Sequence, residues 1–126
     1  MKTRIFIIDD DPIFRMILQK MIYNIEPSVI CHHFEDGESG LAGLEPLRNS
    51  PDNIILLLDI NMPVLDGWGV LDRLGNSNFY NIQPFNLYIV SSSTDESDKL
   101  KAGEYMLVKN FYHKPLVKKN IIEILN

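Results

Sequence analysis

Apolar positions along this chain follow two alternating patterns. Short, nearly continuous apolar runs lie at Ile5-Phe6-Ile7-Ile8, at 29–34, at Ile54-Ile55-Leu56-Leu57-Leu58, at 87–90 and at 111–113. Between them, apolar residues recur every three or four positions. The first pattern predicts strands, the longest of them covered on both faces; the second predicts helices with one buried stripe. Strands are therefore expected near 2–9, 29–34, 54–59, 87–90 and 111–113.

The first helix is expected to start at Pro12, which suits a first helical turn, and to carry Ile13, Met16, Ile17 and Met21 beside Phe14, Leu18 and Ile22. Pro27 closes that region. A second helix, about 38–47, has Leu41, Leu44 and Leu47 on one stripe but is weakened by Gly40, Gly43 and Pro46. Asp66-Gly67 leads into a third helix over 67–74, and the Asn-rich stretch 75–84 reads as a loop. Thr94 or Asp95 can cap a fourth helix that ends near Met106, and a last helix covers 117–125. Five β/α units in succession predict an α/β domain, a parallel sheet wound on both sides by helices.

The ends of the strands change the picture from fold to chemistry. The first run breaks into Asp9-Asp10-Asp11, the third into Asp59-Ile60-Asn61-Met62-Pro63, the fourth into Ser91-Ser92 and the fifth into Lys114-Pro115. If the strands are parallel neighbours, these groups meet at one edge of the sheet, where open α/β sheets place ligands. Ionised carboxylates about 4 Å apart repel by roughly 4 kcal/mol at an effective dielectric near 20, so the cluster calls for a counter-charge. Hard oxygen donors without sulfur or imidazole suit Mg²⁺ or Mn²⁺, and Lys114 supplies a fixed cation able to pair with Asp59 or with a phosphoryl oxygen. A carboxylate so flanked is equipped to attack phosphorus and form an aspartyl phosphate.

Composition narrows the alternatives. A chain of 126 residues with 45% hydrophobic content has the size of one domain, expected to occupy 1–126. Its net charge of -5 argues against direct nucleic-acid binding, although residues 97–126 hold 6 Lys+Arg against 3 Asp+Glu. The single Cys31 excludes an internal disulfide, and no apolar run has the length of a membrane span or signal core. A cytoplasmic setting is the expectation. His32 and His33, adjacent on a strand, point to opposite faces and do not form a ligand pair. Asp11 reads as a helix cap, and Met16, Met21, Met62 and Met106 as core and loop packing.

Together, Ile8-Asp9-Asp10, Leu58-Asp59-Ile60-Asn61-Met62-Pro63 with Asp66-Gly67, Val90-Ser91-Ser92 and Lys114-Pro115 resemble the receiver domain of two-component response regulators, in the right order and over nearly the whole chain. The resemblance implies a flavodoxin-like (βα)5 fold with strand order 2-1-3-4-5. It implies Asp59 as phosphoacceptor, and Asp10, Asp59 and the backbone carbonyl of Asn61 as ligands of Mg²⁺ (or Mn²⁺), with Asp9 acting through water. Ser91 would be the switching hydroxyl, the Ser92 backbone and Lys114 would hold phosphate, and the Lys114-Pro115 bond would be cis. Phe111, where the family often has tyrosine, would turn inward with Ser91. The segment 103–110 departs from the family's small-residue pattern before the fifth strand.

By the same resemblance the phosphoryl donor is a histidine kinase or histidine phosphotransfer protein. Output is expected through an unknown protein target rather than nucleic acid or membrane, at a face bearing Lys109, Asn110, Tyr112, Lys118 and Lys119. A stand-alone receiver without an output domain is expected, as a monomer or a weak phosphorylation-linked dimer. It is not expected to be a dedicated enzyme, although slow self-dephosphorylation, influenced by Asn61 and Ser93, goes with the chemistry. Two other readings stay open: a receiver-like adaptor that is never phosphorylated, and a small aspartate-nucleophile phosphohydrolase. The second lacks an acid two residues after the nucleophile, where Asn61 stands.

Overall fold

In the computed structural model, which describes residues 2–77 and 84–126, strands and helices alternate as the apolar pattern requires. The strands are β1 (Thr3–Ile8), β2 (Ile30–Phe34), β3 (Asn53–Leu58), β4 (Phe85–Ser91) and β5 (Val108–His113). The helices are α1 (Pro12–Ile25), α2 (Gly37–Leu44), α3 (Gly67–Ser77), α4 (Glu96–Gly103) and α5 (Lys118–Leu125), with a 3-10 turn at Glu45–Leu47 after α2. All strand pairs are parallel, in the order β2-β1-β3-β4-β5.

Alternation along each strand divides the core into two layers. Phe6, Ile8, Ile54, Leu56, Leu58, Leu87 and Ile89 pack with Leu44 of α2, Val70, Leu71 and Leu74 of α3 and Ala102 of α4. Ile5, Ile7, Ile55, Leu57, Tyr88, Val90 and Tyr112 pack with Leu18 and Ile22 of α1 and Ile121 and Ile124 of α5. The continuous apolar run of β3 thus reflects burial on both faces. Register puts Ile8 opposite both Phe34 and Leu58, and Leu58 opposite Ile89, so the strand ends align.

Local chemistry explains several boundaries. The Asp11 side chain accepts from the amides of Ile13 and Phe14 and caps α1, and of the two candidate caps for α4 it is Asp95 that accepts from Ser97. Asp36 caps α2, whose Gly40 permits close approach: a Cβ there would collide with the Ile8 side chain. The glycines that weaken this helix in the sequence are what let it lie on the sheet.

Other boundaries differ from expectation. α3 runs through Gly75 to Ser77, where Arg48 donates to the terminal Ser77 carbonyl at 3.1 Å. Residues 78–83 of the expected loop lie outside the described residues. α4 ends at Gly103 rather than near Met106, since the amides of Glu104 and Tyr105 tighten onto Lys101 and Ala102. β5 begins at Val108, three residues earlier than the apolar run, because pairing with β4 extends it through the polar Lys109 and Asn110. Met106 is fully exposed and Met16 half-exposed, so neither is a core residue. The exposed side of α1 also carries Ile13 and Ile17.

Candidate functional site

Ladder hydrogen bonds carry the sheet one residue past three strands and so fix the backbone of the site. The Asp9 amide donates to Phe34 O at 3.0 Å, Asp59 to Ile8 O at 2.9 Å and Lys114 to Ser91 O at 2.9 Å. Each functional residue is therefore the first to leave the sheet. Carboxylate oxygens of Asp9, Asp10 and Asp59 lie within 4.8 Å of one another. Asp9 and Asp59 are 2% and 5% exposed, while Asp10 faces solvent.

The Lys114 ammonium enters this cluster from the end of β5. It lies 2.6 Å from Asp9 Oδ2 and 3.8 Å from Asp59 Oδ2, so its nearer partner is Asp9 rather than the Asp59 named in the sequence reading. Both carboxylates are buried, so one ammonium serves as counter-charge to the pair. The Lys114-Pro115 peptide is cis. Asp9 Oδ1 accepts from the Asp11 amide at 2.9 Å, and Asp59 Oδ1 accepts from the Ile60 amide at 2.9 Å.

Burial, followed by the neighbouring Asp9 charge, pushes the Asp59 carboxyl up to about 6; Lys114 and the Ile60 amide oppose the shift, and Asp10 adds to it. A divalent cation would reverse that imbalance. The donor set fits one, since its oxygens are hard and the open Asp10 side leaves room for water ligands.

The surrounding loops are held by specific contacts. Ser91 is fully buried, and its Oγ accepts from the Ser93 amide at 3.0 Å. The Ser93 hydroxyl donates to Asp98 Oδ2 of α4 at 2.7 Å, linking the end of β4 to that helix. Ser92 and Asn61 are exposed beside the acids. Beyond Asn61 the chain turns tightly: Val64 has φ 69° and the Leu65 amide donates to Pro63 O at 2.8 Å. Gly67 then lies so close to the end of β3 that a Cβ would come within 2.5 Å of Asp59 O.

Two neighbours escaped the sequence reading. The Arg15 guanidinium donates to the main-chain oxygen of Asp9, and the Phe14 ring centroid lies 4.3 Å from Lys114 Nζ. A signal for Arg15 was present, because a cation near the positive end of a helix is unfavourable unless something nearby compensates it. Phe14 carries no such signal; its apolar spacing matches any core residue.

Phe111 is half-buried against the layer containing Ile89 and Ala102, edge-on to His113 at 5.3 Å between ring centroids. Lys109, Asn110, Lys118 and Lys119 are exposed, but Tyr112 is not their neighbour on the surface. It is 8% exposed, packed against Tyr88, and its hydroxyl donates to Glu123 at 3.4 Å. The His32 ring lies tilted against Phe6 beside Arg4 and His33 meets Gln19, both away from the acids.

The sequence model of the response regulator receiver domain matches residues 5–126. The chain belongs to the response regulator receiver domain family. A protein-glutamate methylesterase/protein-glutamine glutaminase of Dechloromonas aromatica is 32% identical over 117 residues, covering 90% of this chain and 30% of that protein. A counterpart from Myxococcus xanthus is 33% identical over 109 residues, covering 83% and 29%. This receiver thus spans under a third of either relative. Among solved structures, a two-component response regulator from Cytophaga hutchinsonii superposes with a TM-score of 0.84 at 25% identity, covering 100% of this chain and 96% of that one. The chemotaxis protein CheY4 of Vibrio cholerae shares the fold with a TM-score of 0.79 at 15% identity, over 99% of this chain and 97% of that one. Among the described residues of this receiver, no helix is long and apolar enough to cross a membrane.

Proposed function

We propose that this receiver is a phosphoacceptor signalling module in which Asp59 takes a phosphoryl group from a histidine kinase, a histidine phosphotransfer protein or a small acyl phosphate. An Asp59 carboxylate oxygen attacks phosphorus as the bond to the donor breaks. The departing electron pair goes to the imidazole nitrogen of a phosphohistidine, or to the carboxylate oxygen of acetyl phosphate. The observation that carries this reading is the buried Asp59 with Asp9, Asp10 and the Lys114 ammonium gathered around it at the sheet edge.

With its carboxyl pushed up to about 6, Asp59 is still mostly ionised at neutral pH and available as a nucleophile. Asp10, Asp59 and the Asn61 carbonyl would hold Mg²⁺, with Asp9 acting through water; when bound, the ion neutralises charge on the transferring phosphoryl group. Lys114 meets the same oxygens as a fixed ammonium, and the Ser92 amide offers a further hydrogen bond. Ser91, released from the Ser93 amide, turns its hydroxyl to the phosphoryl group, and Phe111 follows into the space vacated. The Ser93 link to Asp98 transmits the loop's movement to α4, so that a protein partner reads the face bearing Lys109, Asn110, Lys118 and Lys119.

Intact mass after incubation with Mg²⁺ and acetyl phosphate tests this. A stable gain of about 80 Da, one phosphoryl group, is expected, and Asp59→Asn should abolish it. Rapid phosphate release without a lasting adduct would support a phosphohydrolase instead. An unchanged mass would support an adaptor, and equal labelling of Asp59→Asn would refute the acceptor assignment.

A further inference from the structure

We infer that Phe14 is a positioning residue for phosphoryl transfer, its ring face holding the Lys114 ammonium over the acidic cluster; this rests on the phosphoacceptor reading. A lysine head on a four-carbon stem is mobile unless it is confined. Here it is bounded on three sides. Asp9 lies 2.6 Å away, Asp59 lies 3.8 Å away, and the Phe14 ring centroid is 4.3 Å from Nζ. The Lys114 side chain is 16% exposed, so the ring replaces much of the water that would otherwise surround the ammonium.

The ring is itself well fixed. Phe14 lies in the first turn of α1, where its amide donates to the capping Asp11 carboxylate at 3.3 Å, and it packs against the layer containing Leu18 and Ile22. An aromatic face attracts a cation through its quadrupole, most strongly when water is excluded. Unlike Asp9, the ring does not compete as a salt-bridge acceptor. It can therefore retain the ammonium near the acceptor while Lys114 exchanges a carboxylate for a phosphoryl oxygen. An aliphatic side chain of similar bulk would fill the space without attracting the charge.

The discriminating experiment replaces Phe14 with phenylalanines carrying one, two and three ring fluorines, which drain the ring face while leaving its shape nearly intact. The second-order rate of labelling by acetyl phosphate with Mg²⁺ should fall stepwise with fluorine number. Phe14→Leu should lose about threefold to tenfold, and Phe14→Trp should recover most of the rate. A second readout does not depend on phosphotransfer. The Lys114 ε-methylene proton resonances should be moved upfield by the ring in the wild-type protein, and that shift should disappear in Phe14→Leu.

A flat fluorine series in protein that labels normally overturns the role of Phe14, as does absence of the ring-induced shift. If the shift is present but the wild-type protein accepts no phosphoryl group, the acceptor reading falls, and with it the catalytic purpose of the contact.

Discussion

Asp59→Asn should make the metal-free protein more stable at neutral pH, although it removes the proposed acceptor. In the folded state the carboxyl is pushed from an ordinary 3.8 to about 6, by burial first and the Asp9 charge second. The folded protein therefore binds this proton more tightly than the unfolded chain does. The resulting contribution to stability is complete below pH 3.8 and is lost as pH rises through 6. Above pH 7 the ionised carboxylate would cost the fold at most about 3 kcal/mol. The site opens to solvent beside Asp10, and screening there reduces the expected gain to about 1–2 kcal/mol.

Asparagine keeps an oxygen to accept from the Ile60 amide and leaves Lys114 its closer partner, Asp9. The effect should therefore be electrostatic rather than a loss of packing. Urea denaturation of both proteins in EDTA at pH 8 should show the variant's midpoint higher by roughly 0.5–1 M, for the slopes usual in small domains. The difference should shrink toward pH 4, and Mg²⁺ should narrow it at pH 8 by stabilising the wild-type protein alone. A variant no more stable at pH 8, or an advantage that grows toward acid, would refute the reasoning.

Two further substitutions test the loop that follows Asp59. Gly67→Ala forces a Cβ to within 2.5 Å of the Asp59 carbonyl oxygen and 2.8 Å of Ile60 Cα, and because both are backbone atoms it should destabilise by about 1–3 kcal/mol in thermal or urea unfolding. Val64→Gly relieves a β-branched residue at φ 69° that is 78% exposed; with little packing to lose, a net gain of about 0.5–1 kcal/mol is expected, and a lower melting temperature would contradict the strain assigned there.

Much of the architecture was legible because its signals are local. Ile54 to Leu58 had to be covered on both faces, Asp11 before Pro12 had the chemistry of a cap, and five apolar runs separated by helical spacing admitted few arrangements other than a wound parallel sheet. Legibility failed where spacing alone assigned a side. Ile13, Met16 and Ile17 share the apolar period of α1 with Leu18 and Ile22, yet only the latter two are buried among them. Which side of a helix meets the sheet is set by its docking angle. Tyr112 likewise read as a surface residue in a basic segment, but β4 and α5 enclose it. Lys109 and Asn110 near the start of β5 are polar, and only pairing with β4 shows this stretch to be strand.

For the site, the order of residues determined its chemical inventory: three acids, a serine and a lysine, each placed where an apolar run stops. A buried strand can admit such groups cheaply only at its end, so their location was encoded along the chain. Tertiary structure decided their pairing. Lys114 lies nearer Asp9 than Asp59 and Phe14 lies over the ammonium, both through approaches between segments distant in sequence, while Arg15 reaches the Asp9 carbonyl across the start of α1. These choices depend on distance and burial in three dimensions, and apolar period carries neither.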